Sequence, residues 1–199
     1  MSKICIVYHS GYGHTERLAR AVERGAKSVE GTLMRTLSVD QVETHWNELD
    51  GADALIFGTP TYMGGVSAPF KAFLDSTGSR WASQAWKDKL AAGFTNSGSP
   101  SGDKFNTLVQ LADVAAQHGM LWVSLGLLPR APGPDGLELN RAGFFLGAGA
   151  QSPHGAPEVE APPPQDLATG FALGARVARA AARWKIASGQ PPTELATRA

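Results

Sequence analysis

The 199-residue chain has one cysteine, Cys5. An internal disulfide is therefore impossible, which excludes a disulfide-stapled secreted scaffold. Neither sign of charge is in excess: Lys+Arg and Asp+Glu are both 18. That balance gives no electrostatic footprint for nucleic acid or an anionic membrane surface. No stretch approaches the ~20 apolar residues of a membrane span. The N-terminus lacks a basic segment followed by a signal-like apolar core, so a cytoplasmic protein is expected. None of the five histidines stands at metal-ligand spacing from another His or Cys, and no metal site is expected. A nucleotide-triphosphate loop is missing too, because no Gly-Lys-Ser/Thr occurs.

What is present begins at the N-terminus. The apolar run Ile4 to Tyr8 leads into Ser10-Gly11-Tyr12-Gly13-His14-Thr15, and a segment of helical periodicity follows, with Leu18, Ala21, Val22 and Ala26 on one face. Strand, small-hydroxyl loop and helix N-terminus make an anion site from backbone N–H groups, without a lysine. Glu16 stands where a dinucleotide fingerprint needs its third glycine. One phosphate monoester, as in FMN, fits better than a pyrophosphate.

Further strands are expected at Thr32–Leu37, Ala54–Phe57, Leu90–Thr95 and Met120–Leu125. Ser38 and Gln41 have capping-box spacing ahead of a short helix with Val42 and Trp46. Ser67 caps a helix with Pro69 in its first turn and Phe70, Phe73 and Leu74 facing the core. A short helix is expected over Trp81–Trp86, one bearing Leu108 and Leu111 that stops near Gly119, and a last one over Asp166–Lys185. The pattern predicts an α/β, flavodoxin-like doubly wound parallel sheet of five strands, ordered 2-1-3-4-5, with helices on both faces. Its ligand crevice lies at the carboxyl ends of strands 1, 3 and 4, where three Gly/Ser/Thr-rich loops coincide: Ser10–Thr15, Thr59–Val66 and Thr95–Gly102. One domain is expected over residues 1–187. It carries a long proline-rich insertion at about 126–164, in which Leu137–Leu139 and Phe144–Leu146 could pair as a hairpin. A disordered tail is expected at 188–199.

The order and spacing of several short motifs resemble the tryptophan-repressor-binding-protein (WrbA-type) NAD(P)H:quinone oxidoreductases, FMN enzymes of flavodoxin-like fold. The motifs are Ser10-Gly11-Tyr12-Gly13-His14, Gly58-Thr59-Pro60-Thr61, Phe73 through Ser83, Ser97-Gly98-Ser99, Gln117-His118-Gly119-Met120 and Ser152-Pro153-His154-Gly155-Ala156. The resemblance implies FMN as cofactor and NAD(P)H as co-substrate. It assigns the FMN phosphate to Ser10, Gly11, Tyr12, Gly13, His14 and Thr15. One ring edge falls to Pro60, Thr61, Tyr62, Met63 and Gly64, the other to Asn96, Ser97, Gly98, Ser99, Pro100 and Ser101. It places Tyr12 and Trp81 against the quinone and the nicotinamide. It also implies a homo-oligomer, dimer or tetramer, with quinone and NAD(P)H as small-molecule partners. Tyr62-Met63-Gly64 departs from the family's usual Arg-Phe-Gly, Gln117 from the first His of His-His-Gly, and His154 from a tyrosine. No side-chain nucleophile or catalytic residue is required, because the flavin carries the hydride. His14 is expected to support its loop and His118 to sit at a helix end favoured by the dipole. Two other classes compete: a carrier flavodoxin passing single electrons, and a flavin-free scaffold. Carriers are typically strongly acidic, which this chain is not.

Overall fold

The computed structural model describes residues 1–188, so the tail expected from 188 falls outside the described residues except for Ser188. In chain order the elements are β1 (Ser2–Tyr8), α1 (His14–Lys27), β2 (Thr32–Ser38), a 3-10 turn (Val39–Thr44), α2 (Trp46–Asp50), β3 (Ala54–Tyr62), β4 (Gly65–Val66), α3 (Ala68–Ser76), α4 (Gly78–Ala82) and β5 (Leu90–Ser97). They continue with α5 (Lys104–Gln117), β6 (Leu121–Trp122), β7 (Ala131–Pro132), β8 (Glu138–Leu139), β9 (Ala148–Gln151) and α6 (Pro164–Ser188). The main sheet runs β2-β1-β3-β5-β6 with its strands parallel, the expected flavodoxin-like winding. No helix among the described residues is long and apolar enough to cross a membrane.

The strand sequences are continuously apolar because both faces are covered. Alternate side chains divide between two cores. Ile4, Ile6, Ile56, Ala92 and Phe94 pack under α1 and α6. Cys5, Val7, Leu55, Phe57 and Ala91 pack against α3, α5 and the buried Trp86. Cys5 is a structural thiol, its pKa raised to about 11 by burial first and the nearby Glu48 second. Helices α1 and α6 touch backbone to backbone. A Cβ on Gly25 would lie 1.9 Å from the carbonyl oxygen of Phe171, and one on Gly174 would lie 1.9 Å from that of Val22.

Several expected boundaries are corrected. Strand β3 does not stop at Phe57 but stays paired with β5 through Pro60↔Asn96, so much of the expected second loop is strand. It then reverses into β4 through Met63 (φ 47°) and Gly64 (φ 79°), a tight turn with both central residues left-handed. The short helix covers Gly78–Ala82 rather than Trp81–Trp86, because Gln84 takes φ 52° and ends it. Ser67 precedes α3 without capping it; its hydroxyl instead meets His9 Nδ1 at 2.8 Å and Thr59 Oγ1 at 3.0 Å.

The fifth strand is split. Only Leu121 and Trp122 pair with the first half of β5, and Gly126 (φ 68°) turns the chain away. After an excursion the chain returns as β9, which pairs in parallel with Phe94–Ser97. The expected hairpin between Leu137–Leu139 and Phe144–Leu146 does not form. Glu138–Leu139 pairs with Ala131–Pro132 instead. The buried Asn140 sets the path after it: its side chain accepts from Phe144 N–H and donates to Leu127 O, while Thr169 Oγ1 accepts from its N–H.

Candidate functional site

At the carboxyl ends of β1, β3 and β5 the sheet opens into a cavity of about 440 Å³, within the range usual for cofactor sites. Three loops expected from the sequence meet there, contributing Gly11, Tyr12, His14 and Thr15; Pro60, Thr61 and Tyr62; and Asn96, Ser97 and Gly98. Ser10 and Gly13 stand in the first loop behind this lining. Met63 and Gly64 form the turn beyond β3, and Ser99, Pro100 and Ser101 the outer turn of the third loop. Trp81 is not brought to this cavity. It is half-exposed on α4 and lines a separate groove with Lys71, Asp75 and Gln110. A slightly larger groove of about 470 Å³ lies against α6 with Arg176, Arg179 and Arg183 on its walls, away from the loops after β1 and β3.

The first loop is a cradle for an anion. Among the described residues, no backbone N–H of residues 11–15 is donated within the chain, while Glu16 N–H is taken by Ser10 Oγ at 3.2 Å. Helix α1 places its positive end behind them. Thr15 is buried, yet its hydroxyl has no partner in the chain and faces the cavity. Gly13 sits at φ 81°, and a Cβ there would lie 2.4 Å from the Glu158 carboxyl carbon. Donors without acceptors at a helix N-terminus fit a phosphate monoester held without a cation. His14 Nε2 lies 3.0 Å from Ala156 O, so it braces the loop.

The second loop is held by hydroxyls. Thr95 donates to Thr59 O at 2.7 Å. Its oxygen must then accept from Thr61 Oγ1 at 2.8 Å, and Thr61 in turn accepts from Thr107 Oγ1 at 2.8 Å. The Thr61 hydroxyl is thereby committed to its neighbours, and Thr61 offers the cavity its remaining surface.

A fourth wall completes the site: Ser152, Pro153, His154, Gly155 and Ala156. It follows β9, so the split of the fifth strand delivers it. Ser152 Oγ donates to Asn96 Oδ1 at 3.0 Å, and Ser152 N–H donates to Ser97 O. The motif was legible, but its place beside the third loop was not, since nothing local shows that the chain re-enters the sheet. No Asp, Glu, Lys or Arg lines the cavity. Burial first, and Tyr12 second, raise the Tyr62 hydroxyl pKa. Among the described residues no lining Ser or Thr is hydrogen-bonded to a lining His, so no nucleophile–base pair is assembled. His118 is corrected: it ends α5 but is buried 4.7 Å from the Trp86 ring, and burial lowers its pKa, so the helix dipole does not hold it charged.

Residues 8–129 match the family model described as NADPH-dependent FMN reductase. The chain is 44% identical over 181 residues to flavodoxin FldP of Pseudomonas aeruginosa (strain UCBPP-PA14), covering 90% of this chain and 96% of that protein. It is 36% identical over 143 residues to quinone-oxidoreductase QR2 of Triphysaria versicolor, covering 63% of this chain and 70% of that one. The solved WrbA-like flavodoxin of Agrobacterium tumefaciens superposes with a TM-score of 0.72 at 42% identity, covering 92% of this chain and 99% of that chain. A loop of unengaged amides at the switch point of a parallel sheet and a family match over more than half the chain agree: the protein is a flavodoxin-like oxidoreductase with FMN as cofactor and NAD(P)H as reductant, and it belongs to the NADPH-dependent FMN reductase family.

Proposed function

We propose that the chain reduces quinones with NAD(P)H, two electrons at a time, through FMN held in the strand-end cavity. The observation that carries this reading is the cavity's uncharged lining together with its open, aromatic mouth. Tyr12 is 77% exposed and Tyr62 40% exposed, with Met63 fully exposed beside them. Such a rim offers planar apolar surface to a ligand stacking on what lies below. Bound FMN supplies the hydride acceptor and donor. The chain's residues supply position. Residues 11–15 hold the phosphate, Pro60–Tyr62 and Asn96–Gly98 flank the ring, and His154 stands at the mouth within reach of a ligand oxygen. Because one open face serves both ligands, the nicotinamide leaves before the quinone enters. The expected cytoplasmic setting and homo-oligomeric state belong to this proposal.

A second reading, a single-electron carrier, is favoured by the 44% identical relative being named a flavodoxin. The balanced charge counts against steering toward a strongly charged partner. Steady-state assays with NADH, NADPH and benzoquinone separate the two. Parallel double-reciprocal lines are expected. Negligible NAD(P)H oxidation by the FMN-loaded protein would transfer the assignment to the carrier.

A further inference from the structure

Lys104 has no exposed surface, although lysine is almost never fully buried unless paired. Its ammonium lies inside the third loop of the cavity. It donates to Ser97 Oγ at 2.7 Å and to Ser99 O at 2.7 Å, and the Phe144 ring lies 6.0 Å below. Neither hydrogen-bond partner is a carboxylate. The loop closes around it by close approach: a Cβ on Gly102 would lie 2.1 Å from Ser97 Oγ. Ser97 lines the cavity. One hydrogen bond therefore separates a buried positive charge from the wall that flanks the flavin ring in the reading above, on which this inference rests.

We propose that Lys104 is a positioning residue of the FMN site, whose ammonium folds the third loop into shape and fixes a positive charge behind the flavin ring, favouring the reduced and more negatively charged cofactor. The charges facing it come from three elements. Asp166 lies at the start of α6, bound at 2.7 Å by Arg141 of the excursion, and the exposed Asp103 stands just before α5, next to Lys104. Asp166 also accepts from Gln151 N–H, and Gln151 donates to Gly98 O, so the same polar group backs the loop from β9. The carboxylate is thus largely answered by Arg141 and Gln151, and the ammonium's field reaches the loop. Burial brings the Lys104 pKa down to about 8, with Asp166 opposing and Arg141 assisting. The charge is present at pH 7 and is lost as pH rises through that value. A ligand that gains from the charge raises the pKa on binding, and its affinity falls as the pH rises.

The test is FMN binding, followed by flavin fluorescence from pH 7 to pH 9, in wild type, Lys104→Met and Lys104→Gln. If FMN raises the lysine pKa by about one unit, the wild-type dissociation constant climbs about fivefold over this range. Both variants lack the charge and give a flat profile. Lys104→Met at pH 7 binds about tenfold more weakly than wild type, the limit set by that one-unit shift. The midpoint potential of bound FMN falls in Lys104→Met at pH 7, and the gap narrows by pH 9. The wild-type pH profile needs no variant to fold. A flat wild-type profile with unchanged potentials overturns the proposal, as does a binding defect in Lys104→Met that Lys104→Gln fully restores, since geometry alone would then explain it. Thr15→Val run alongside separates the levels: weakened FMN there with an unchanged Lys104→Met overturns the lysine's role alone, whereas no response in either overturns the site as well.

Discussion

Thr15 is a buried residue whose hydroxyl, without a partner in the chain, reaches the cavity surface at the first loop. A phosphate oxygen in the cavity would accept from it through a charge-assisted hydrogen bond. Thr15→Val keeps the shape and removes the hydroxyl. It should weaken FMN by about 1.5–3 kcal/mol, the scale of a hydrogen bond to a charged group, measured by fluorescence titration. Thr107 presents the opposite case, a hydroxyl spent entirely inside the protein. Its donation to Thr61 heads the one-way chain that ends on Thr59 O. Thr107→Val should cost about 1–3 kcal/mol of folding stability by leaving Thr61 short of a donor, read from the urea midpoint. The hydroxyls of both segments were visible in the sequence. Which face a ligand and which face one another depends on neighbours up to 46 residues apart.

At the scale of elements, the C-terminus of α5 carries a pH dependence of its own. Thr77 Oγ1 donates to Leu74 O at 2.7 Å, so its oxygen accepts from His118 Nε2–H at 2.9 Å. That fixes the tautomer and leaves Nδ1 buried without a partner. Burial lowers the ring's pKa below its ordinary value near 6.5. The unfolded chain therefore takes up the proton first as pH falls. Stability from this element is intact above about pH 6.5 and declines as pH drops below it. The urea midpoint should fall from pH 7 to pH 5, and more steeply in wild type than in His118→Gln; equal slopes would remove His118 as the cause. The Gln117-His118-Gly119 motif announced a helix end correctly. The contact with Trp86 comes from a different segment of the chain and reverses the electrostatic reading.

Across the whole molecule, α1, which follows the first cavity loop, and the last helix α6 are in backbone contact. Gly25 and Gly174 make that approach possible. In an ordinary helix, Gly→Ala stabilises by about 0.5–1 kcal/mol. Here the sign should reverse. The atom that a new Cβ meets at Gly174 is a carbonyl oxygen at 1.9 Å, which no rotamer change can move. Gly174→Ala should therefore destabilise by about 1–3 kcal/mol as an overpacking substitution, measured by denaturant unfolding. Because α1 also forms the cradle, the same variant should weaken FMN, and unaltered stability would mean the helices part freely.

The sequence by itself determined the alternation of strands and helices, the order of winding and the open loop between β1 and α1. Each rests on short-range physics: apolar runs that must be covered on both faces, helical periodicity from Leu18 to Ala26, and N–H groups left over where a helix begins. Right-handed crossovers then put three polar loops at one end of the sheet. Only the tertiary structure decided the rest. It split the fifth strand so that β9 carries Ser152–Ala156 to the cavity, and it placed Trp81 on another groove. It also enclosed the Lys104 ammonium between Ser97, Ser99 and Phe144. Strand pairing, side-chain burial and the local field at a charge depend on segments distant in the chain, and a lysine at the end of a polar run looks the same whether it ends in water or under a cavity loop.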